Sequence, residues 1–171
     1  MSVESDTGID FEVLEAAGAI SPFDRAFGRL LRQLDDTAPE ATELAACVAS
    51  NWVGRGHVCA PLARLVGSPL FSQLETGPLG PELEHWRQRL LRSKVVGPPG
   101  TRRPLILDDR GRLYLYRYWD YEQRLARALL ARAGTAPSAL DLTAARNLIE
   151  RLFGPGDPLH PDLQRRAAGV A

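Results

Sequence analysis

The stretch GRGHVCAPL sets a histidine, His57, two residues ahead of a thiol, Cys59. On a strand both side chains leave the same face, about 7 Å apart. Two chemistries use such a pair. A metal centre needs three or four clustered ligands, and the other histidines, His85 and His160, stand in unrelated segments. A cysteine nucleophile needs contact with its histidine and a third group to orient the ring. Neither set is complete, so His57 and Cys59 read as packing residues of a half-buried strand. GPPG at 97–100 and GPGD at 154–157 look like pieces of phosphate loops, but neither runs on into Gly-Lys-Ser/Thr, and Lys94, the one lysine, precedes both. They read as turns. No catalytic residue and no metal ligand is expected.

The run PLILDDRGRLYLYRYW is richer. It reads as a β-hairpin turning at Asp108, Asp109, Arg110 and Gly111. Along its second strand Arg112, Tyr114, Tyr116 and, in continuation, Tyr118 leave one face, while Leu113 and Leu115 leave the other. With the leucines inward, an arginine and tyrosine ladder faces outward beside Arg110 and Arg117. Such a face suits docking to a protein, since both residue types join a large contact area to a polar tip. It suits stacking of single-stranded bases as well. The third reading is that the helix that follows covers the tyrosines.

The elements that must hold these residues are legible from caps and periodicity. A short helix over 10–17 stops at Gly18. Ser21, Pro22 and Asp24 form a capping box for a helix whose Phe23, Phe27, Leu30, Leu31 and Leu34 make one apolar stripe. A second long helix runs over 39–52 with Ala41, Leu44, Ala45, Val48 and Trp52 inward, ending at Gly54. A strand over 57–60 and a helical turn or two over 61–66 follow. The Gly/Pro-rich 67–82 reads as surface, with Phe71 and Leu74 loosely anchored. Pro81 opens a helix carrying Leu83, Trp86 and Leu90. Asp120 and Gln123 cap a helix after the hairpin. Ser138 and Asp141 start another, with Leu142, Ala145, Ile149 and Leu152 inward and Gly154 as its stop. No internal repeat is visible. The order predicts a mainly α, α+β domain with a winged-helix-like element and a small antiparallel hairpin sheet.

Bulk properties narrow the classes further. The 171 residues carry 21 acids and 21 bases, a net charge of zero. Residues 1–46 hold ten acids against three bases, while residues 87–132 hold twelve bases against four acids. A neutral whole with a basic middle argues against general coating of nucleic acid and allows a local basic patch. Two cysteines, Cys47 and Cys59, make no disulfide framework. No apolar run approaches membrane-spanning length and no leader is seen, so a cytoplasmic protein without a membrane partner is expected.

Two segments, GRGHVCAPLARL at 54–65 and RPLILDDRGRLYLYRYWDYEQRLARALL at 103–130, resemble the N-terminal domain of the RecD family, the alpha subunit of exodeoxyribonuclease V. FEVLEAAGAISPFDRAFGRLL at 11–31 fits that family's first helices. The resemblance divides the chain into a tail at 1–8, a docking domain at 9–133, a linker and helix at 134–157, and the start of a helicase motor at 158–171. In DLQRRAAGVA, a helix without a stop signal, Gln164, Ala167 and Ala171 match the family's Q-x-x-A-x-x-x-A helix ahead of the Walker A strand. By this resemblance Gln164 is the glutamine that reads the adenine of ATP in the full-length parent. ATP and Mg are cofactors of that parent, and none is expected for this segment, which lacks the Walker A loop and every later motor motif. The resemblance also implies docking on a RecC-like gamma subunit, in a complex with a RecB-like beta subunit that processes DNA ends. It does not say which residues dock.

Overall fold

Two capped starts order the first third of the chain. The computed structural model describes residues 9–71, 74, 77–134, 141–155 and 162–170. In α1 (Phe11–Ala16) the Asp10 carboxylate accepts from the backbone N–H groups of Glu12 at 2.9 Å and Val13 at 3.2 Å. The capping box of α2 (Pro22–Leu34) forms as its sequence predicts. Asp24 N–H donates to Ser21 Oγ at 3.1 Å, and Ser21 N–H returns a bond to Asp24 Oδ2 at 2.9 Å.

The next helix, α3 (Pro39–Gly54), is buried without a break from Ala41 to Asn51. An amphipathic helix with one inward stripe was the expectation. Its run of alanines leaves no polar face for water, and α2, a later helix and the sheet pack around it. Its polar side chains are paired: Glu43 with Arg32 at 2.7 Å, Thr42 with Asp35 at 2.5 Å, Ser50 with Asp24 at 2.5 Å. A central α3 decides how α2 sits. The buried side of α2 is Asp24, Gly28 and Leu31. Most of the apolar stripe therefore stands to one side: Phe23, Leu30 and Leu34 are 69%, 51% and 55% exposed, and Phe27 is partly buried.

β1 (Ala60–Pro61) and the single turn α4 (Leu62–Leu65) follow. The strand expected over 57–60 is confined to this pair, so His57 and Cys59 lie outside it. Among its described residues the Gly/Pro-rich segment is only partly surface: Gly67, Pro69 and Leu79 are exposed, while two bridges, Val66 to Gly80 and Pro69 to Leu79, pin it, with Leu70 and Phe71 buried and Leu74 packed on the core. α5 (Leu83–Arg92) starts two residues after Pro81, because the Glu82 carboxylate caps it, accepting from His85 N–H at 2.7 Å. It delivers Trp86 and Leu90 to the core.

β2 (Val96–Gly97), β3 (Leu105–Leu107) and β4 (Arg112–Leu115) complete a sheet in the order β1-β4-β3-β2. The hairpin is as read, with Ile106 opposite Tyr114, and Gly111 at φ +71° supplies the turn's left-handed residue. The sheet is mixed, because β2 runs parallel to β3. α6 (Tyr116–Ala133) begins directly at the end of β4, with Tyr116 N–H bonded to Pro104 O at 2.9 Å. Asp120 is thus inside the helix, 3.8 Å from Arg124, and caps nothing.

The chain forms two compact units, Met1–Ala126 and Arg127–Ala171. In the second, α7 (Leu142–Phe153) is capped by Asp141, and Ala145 and Ile149 are half-buried, whereas Leu152 is exposed. α8 (Leu163–Val170) is capped by Asp162, which accepts from Gln164 N–H at 2.8 Å, and its Gly169 lies against Ile149. Ser138 and the tail at 1–8 fall outside the described residues.

Candidate docking surface

The four residues that sequence reading groups on one face, Arg112, Tyr114, Tyr116 and Tyr118, and the two arginines beside them, Arg110 and Arg117, occupy three environments. Tyr114 is only 2% exposed. Its place on β4, between β1 and β3, puts it mid-sheet, and its neighbours there include Cys59, Arg112 and Glu122 of α6. The Tyr114 hydroxyl faces the Cys59 sulfur. Burial pushes the Tyr114 phenol up, with Cys59 and Glu122 adding to the shift. Burial likewise pushes the Cys59 thiol up, against the Tyr114 hydroxyl and the Arg112 charge. Tyr114 is therefore a packing residue, and the outward ladder is corrected there.

Arg112 is also spent internally. Its Nε donates to Asp108 Oδ2 at 2.7 Å and its guanidinium lies 5.6 Å from the Tyr114 ring centroid. Asp108 closes the turn, accepting at Oδ1 from the N–H groups of Arg110 at 3.0 Å and Arg112 at 2.8 Å. Arg110 stands exposed at the tip.

Tyr116, Arg117 and Tyr118 belong to the first turn of α6, because the helix starts earlier than expected. Arg117 is exposed, 5.1 Å over the Tyr118 ring. Tyr116 leans on Trp119 at 6.2 Å, and Tyr118 meets Tyr121 edge-on at 6.4 Å. Arg117 and Tyr118 reach a cleft of about 670 Å³ that also takes in Phe23 and Arg55. Buried Asp24, Ser50 and Asn51 line it too. Among the described residues neither Arg55 nor Arg117 meets an acidic side chain. A second cleft, about 900 Å³, lies between α1, α2 and α3. Its arginines are already paired: Arg25 with Glu12 and Glu15, Arg29 with Glu12, Arg32 with Glu40 and Glu43.

His57 and Cys59 are not brought together as a reactive pair. His57 stacks on Trp52 at 4.7 Å, while Cys59 faces Tyr114. Cys47 is fully buried, and burial, with Glu43 and Asp24 nearby, pushes its thiol up to about 12. Among the described residues no three His, Cys, Asp or Glu side chains converge. Gln164 is exposed in the first turn of α8. No described helix is long and apolar enough to cross a membrane.

The surface that sequence reading did not foresee is the outer row of α2. The signal was present in Asp24 and Gly28, a capping acid and a glycine on the opposite side of that helix.

The sequence matches the family described as "RecBCD enzyme subunit RecD, N-terminal domain" over residues 16–114. The chain belongs to the RecD family. It is similar to the RecBCD enzyme subunit RecD of Mycolicibacterium smegmatis, 32% identical over 160 residues. That alignment covers 93% of this chain and 26% of the relative, so the chain spans about a quarter of that protein's length. The family match takes in α2, α3 and the cleft's buried floor, and it ends at Tyr114, before the exposed Arg117 and half-buried Tyr118 of this RecD-family domain.

Proposed function

We propose that this RecD-family domain is a non-catalytic docking domain, joining its subunit to a RecC-like gamma subunit beside a RecB-like beta subunit. The observation that carries the reading is the contrast between its two kinds of polar residue. Inside, Asp24, Asp35, Asp108 and Arg112 serve as internal struts. Outside, Arg55, Arg117 and Tyr118 border a cleft shared with apolar Phe23, and among the described residues no acid forms an ion pair with Arg55, with Arg117 or with Arg110 at the hairpin tip. Such a surface fits a protein partner. In the full-length parent the domain precedes an ATP- and Mg-dependent motor that unwinds DNA 5′ to 3′ at double-strand breaks. Gln164 contributes the adenine contact there. A DNA-binding wing is the weaker reading, because Arg112 and Tyr114 are spent internally and the hairpin offers only Arg110 at its tip.

Calorimetric titration of the chain with the purified RecC-like subunit of the same organism tests this. Saturable one-to-one binding is expected, with no shift of single-stranded or forked DNA at low salt. Absence of binding, or a salt-sensitive DNA complex, overturns it.

A further inference from the structure

The outer row of α2 has a spacing that identifies its occupant. Phe23, Phe27, Leu30 and Leu34 recur at intervals of four, three and four residues, the d-a-d-a pattern of two heptads. The row is free of charge along its length. Phe23 and Phe27 stack on each other with rings 2° from parallel and centroids 6.3 Å apart, so the aromatic half is already ordered. Phe23, the most exposed of the four, also lines the cleft bordered by Arg55 and Arg117. The seam and the cleft therefore make one continuous surface.

From this geometry we infer that α2 is a docking seam for an amphipathic helix of another subunit. That helix carries an apolar stripe at heptad spacing, with an acidic residue over the cleft. The inference rests on the docking reading above and names where and how the partner sits. Charge assigns the acid to that end. Along the seam's other border, Arg25, Arg29 and Arg32 are neutralised by this chain's own glutamates, whereas Arg55 and Arg117 form no ion pair among the described residues: of the two acids lining their cleft, Glu15 is held by Arg25 and Asp24 is buried. Area argues against two copies paired seam to seam. Four such side chains at these exposures offer on the order of 400 Å², about half of the ~800 Å² that each partner of a stable interface contributes. Two α2 seams paired with each other fall short, while a helix from a larger partner adds the cleft and its own flanks. A helix laid along an apolar groove is a recurring mode of recognition, and aromatic anchors beside a pocket are where its affinity concentrates.

The test uses the chain and the purified RecC-like subunit. The double variant F23E/L30E changes two exposed positions, and its thermal unfolding checks that the fold is kept. Affinity is expected to fall at least 100-fold, while Phe23→Leu stays within about threefold. The pair R55E/R117E is expected to weaken binding about tenfold and to flatten its salt dependence. A photo-crosslinker at position 30 is expected to label a helical segment of the partner whose apolar residues are three and four apart. If the unaltered chain does not bind, the docking reading itself fails and this inference with it. Binding by F23E/L30E within twofold of the unaltered chain overturns the seam and leaves the docking reading standing. An adduct on a strand, or within the parent's own chain, overturns the helical partner. A micromolar homodimer by sedimentation that F23E/L30E abolishes assigns the seam to a second copy and overturns the proposal.

Discussion

Gly28 and Cys47 fix how closely α2 approaches α3: a Cβ on Gly28 would lie 2.4 Å from the Cys47 sulfur and 3.1 Å from the Glu43 carbonyl oxygen. Cys47 is fully buried and has no room to turn, with its Sγ bonded to Asp24 O at 3.3 Å. Gly28→Ala must push the helices apart, and overpacking of this kind costs about 1–3 kcal/mol. Removing the sulfur relieves the closer contact and leaves the carbonyl one. In G28A/C47A the two effects should therefore partly cancel, with a coupling of about 1 kcal/mol in a double-mutant cycle by urea denaturation. Strict additivity would mean that the sulfur does not set the helix spacing.

A second prediction concerns the buried carboxylate that closes the same interface. Asp24 accepts from Ser21 N–H, from Ser50 Oγ at 2.5 Å and from Asn51 Nδ2 at 3.3 Å. Among the described residues no cation pairs with it, so the acid acts as a hydrogen-bond hub joining the start of α2 to the end of α3. Asp24→Ala leaves three donors stranded and should cost at least about 3 kcal/mol, since each buried donor left unpaired costs about 1–3 kcal/mol. Ser50→Ala removes one donor and should cost about 1 kcal/mol. Thermal unfolding ranks the two, and equal midpoints would refute the hub.

What could be read in advance, and what could not, follows from the range of each interaction. Caps are local, so Ser21–Asp24 was legible as a capping box and Asp108–Gly111 as a turn. Burial is collective. Asp24 and Gly28 hint at the buried side of α2, but that Leu31 goes in and Leu30 stays out depends on α3 being central and on Gly28 permitting close approach. Tyr114 failed for a related reason: alternation assigns it to the face opposite Leu113, and that face is covered as well. The early start of α6 overrode the strand-like row of tyrosines, and no cap in the sequence announces it.

Acid sensitivity should centre on Asp35, 2% exposed where α2 ends. Burial acts to raise its carboxyl. Hydrogen bonds from Thr42, Ser93, Thr37 N–H and Lys94 N–H outweigh that, and the group sits below the ordinary aspartate value. A carboxyl depressed in the folded state contributes stability that is present above the unfolded value of about 4 and is lost as pH falls through the folded value. Denaturation midpoints should therefore drop below about pH 4. Thr42→Val removes the 2.5 Å bond, lowers stability at pH 7 by about 1–2 kcal/mol, and makes the decline below pH 4 shallower. An unchanged acid slope would show that other carboxylates carry it.

The final prediction separates packing from docking at Tyr114. Its hydroxyl faces the Cys59 sulfur and its ring lies under Arg112, all within the domain. Tyr114→Phe keeps the ring and should leave partner affinity within twofold. It should also lower the reactivity of Cys59 toward a thiol reagent, since the half-exposed thiol loses a group that holds its titration down and forms less thiolate. Cys47, buried with its thiol near 12, should stay unreactive until the chain unfolds, in either protein. Tyr114→Ala opens a cavity and should cost about 3–5 kcal/mol, so any weaker binding it shows ought to track its lower stability. Restoring stability by lowering temperature then restores binding. A Tyr114→Phe protein that folds as before yet binds tenfold more weakly would instead place the hydroxyl at the partner.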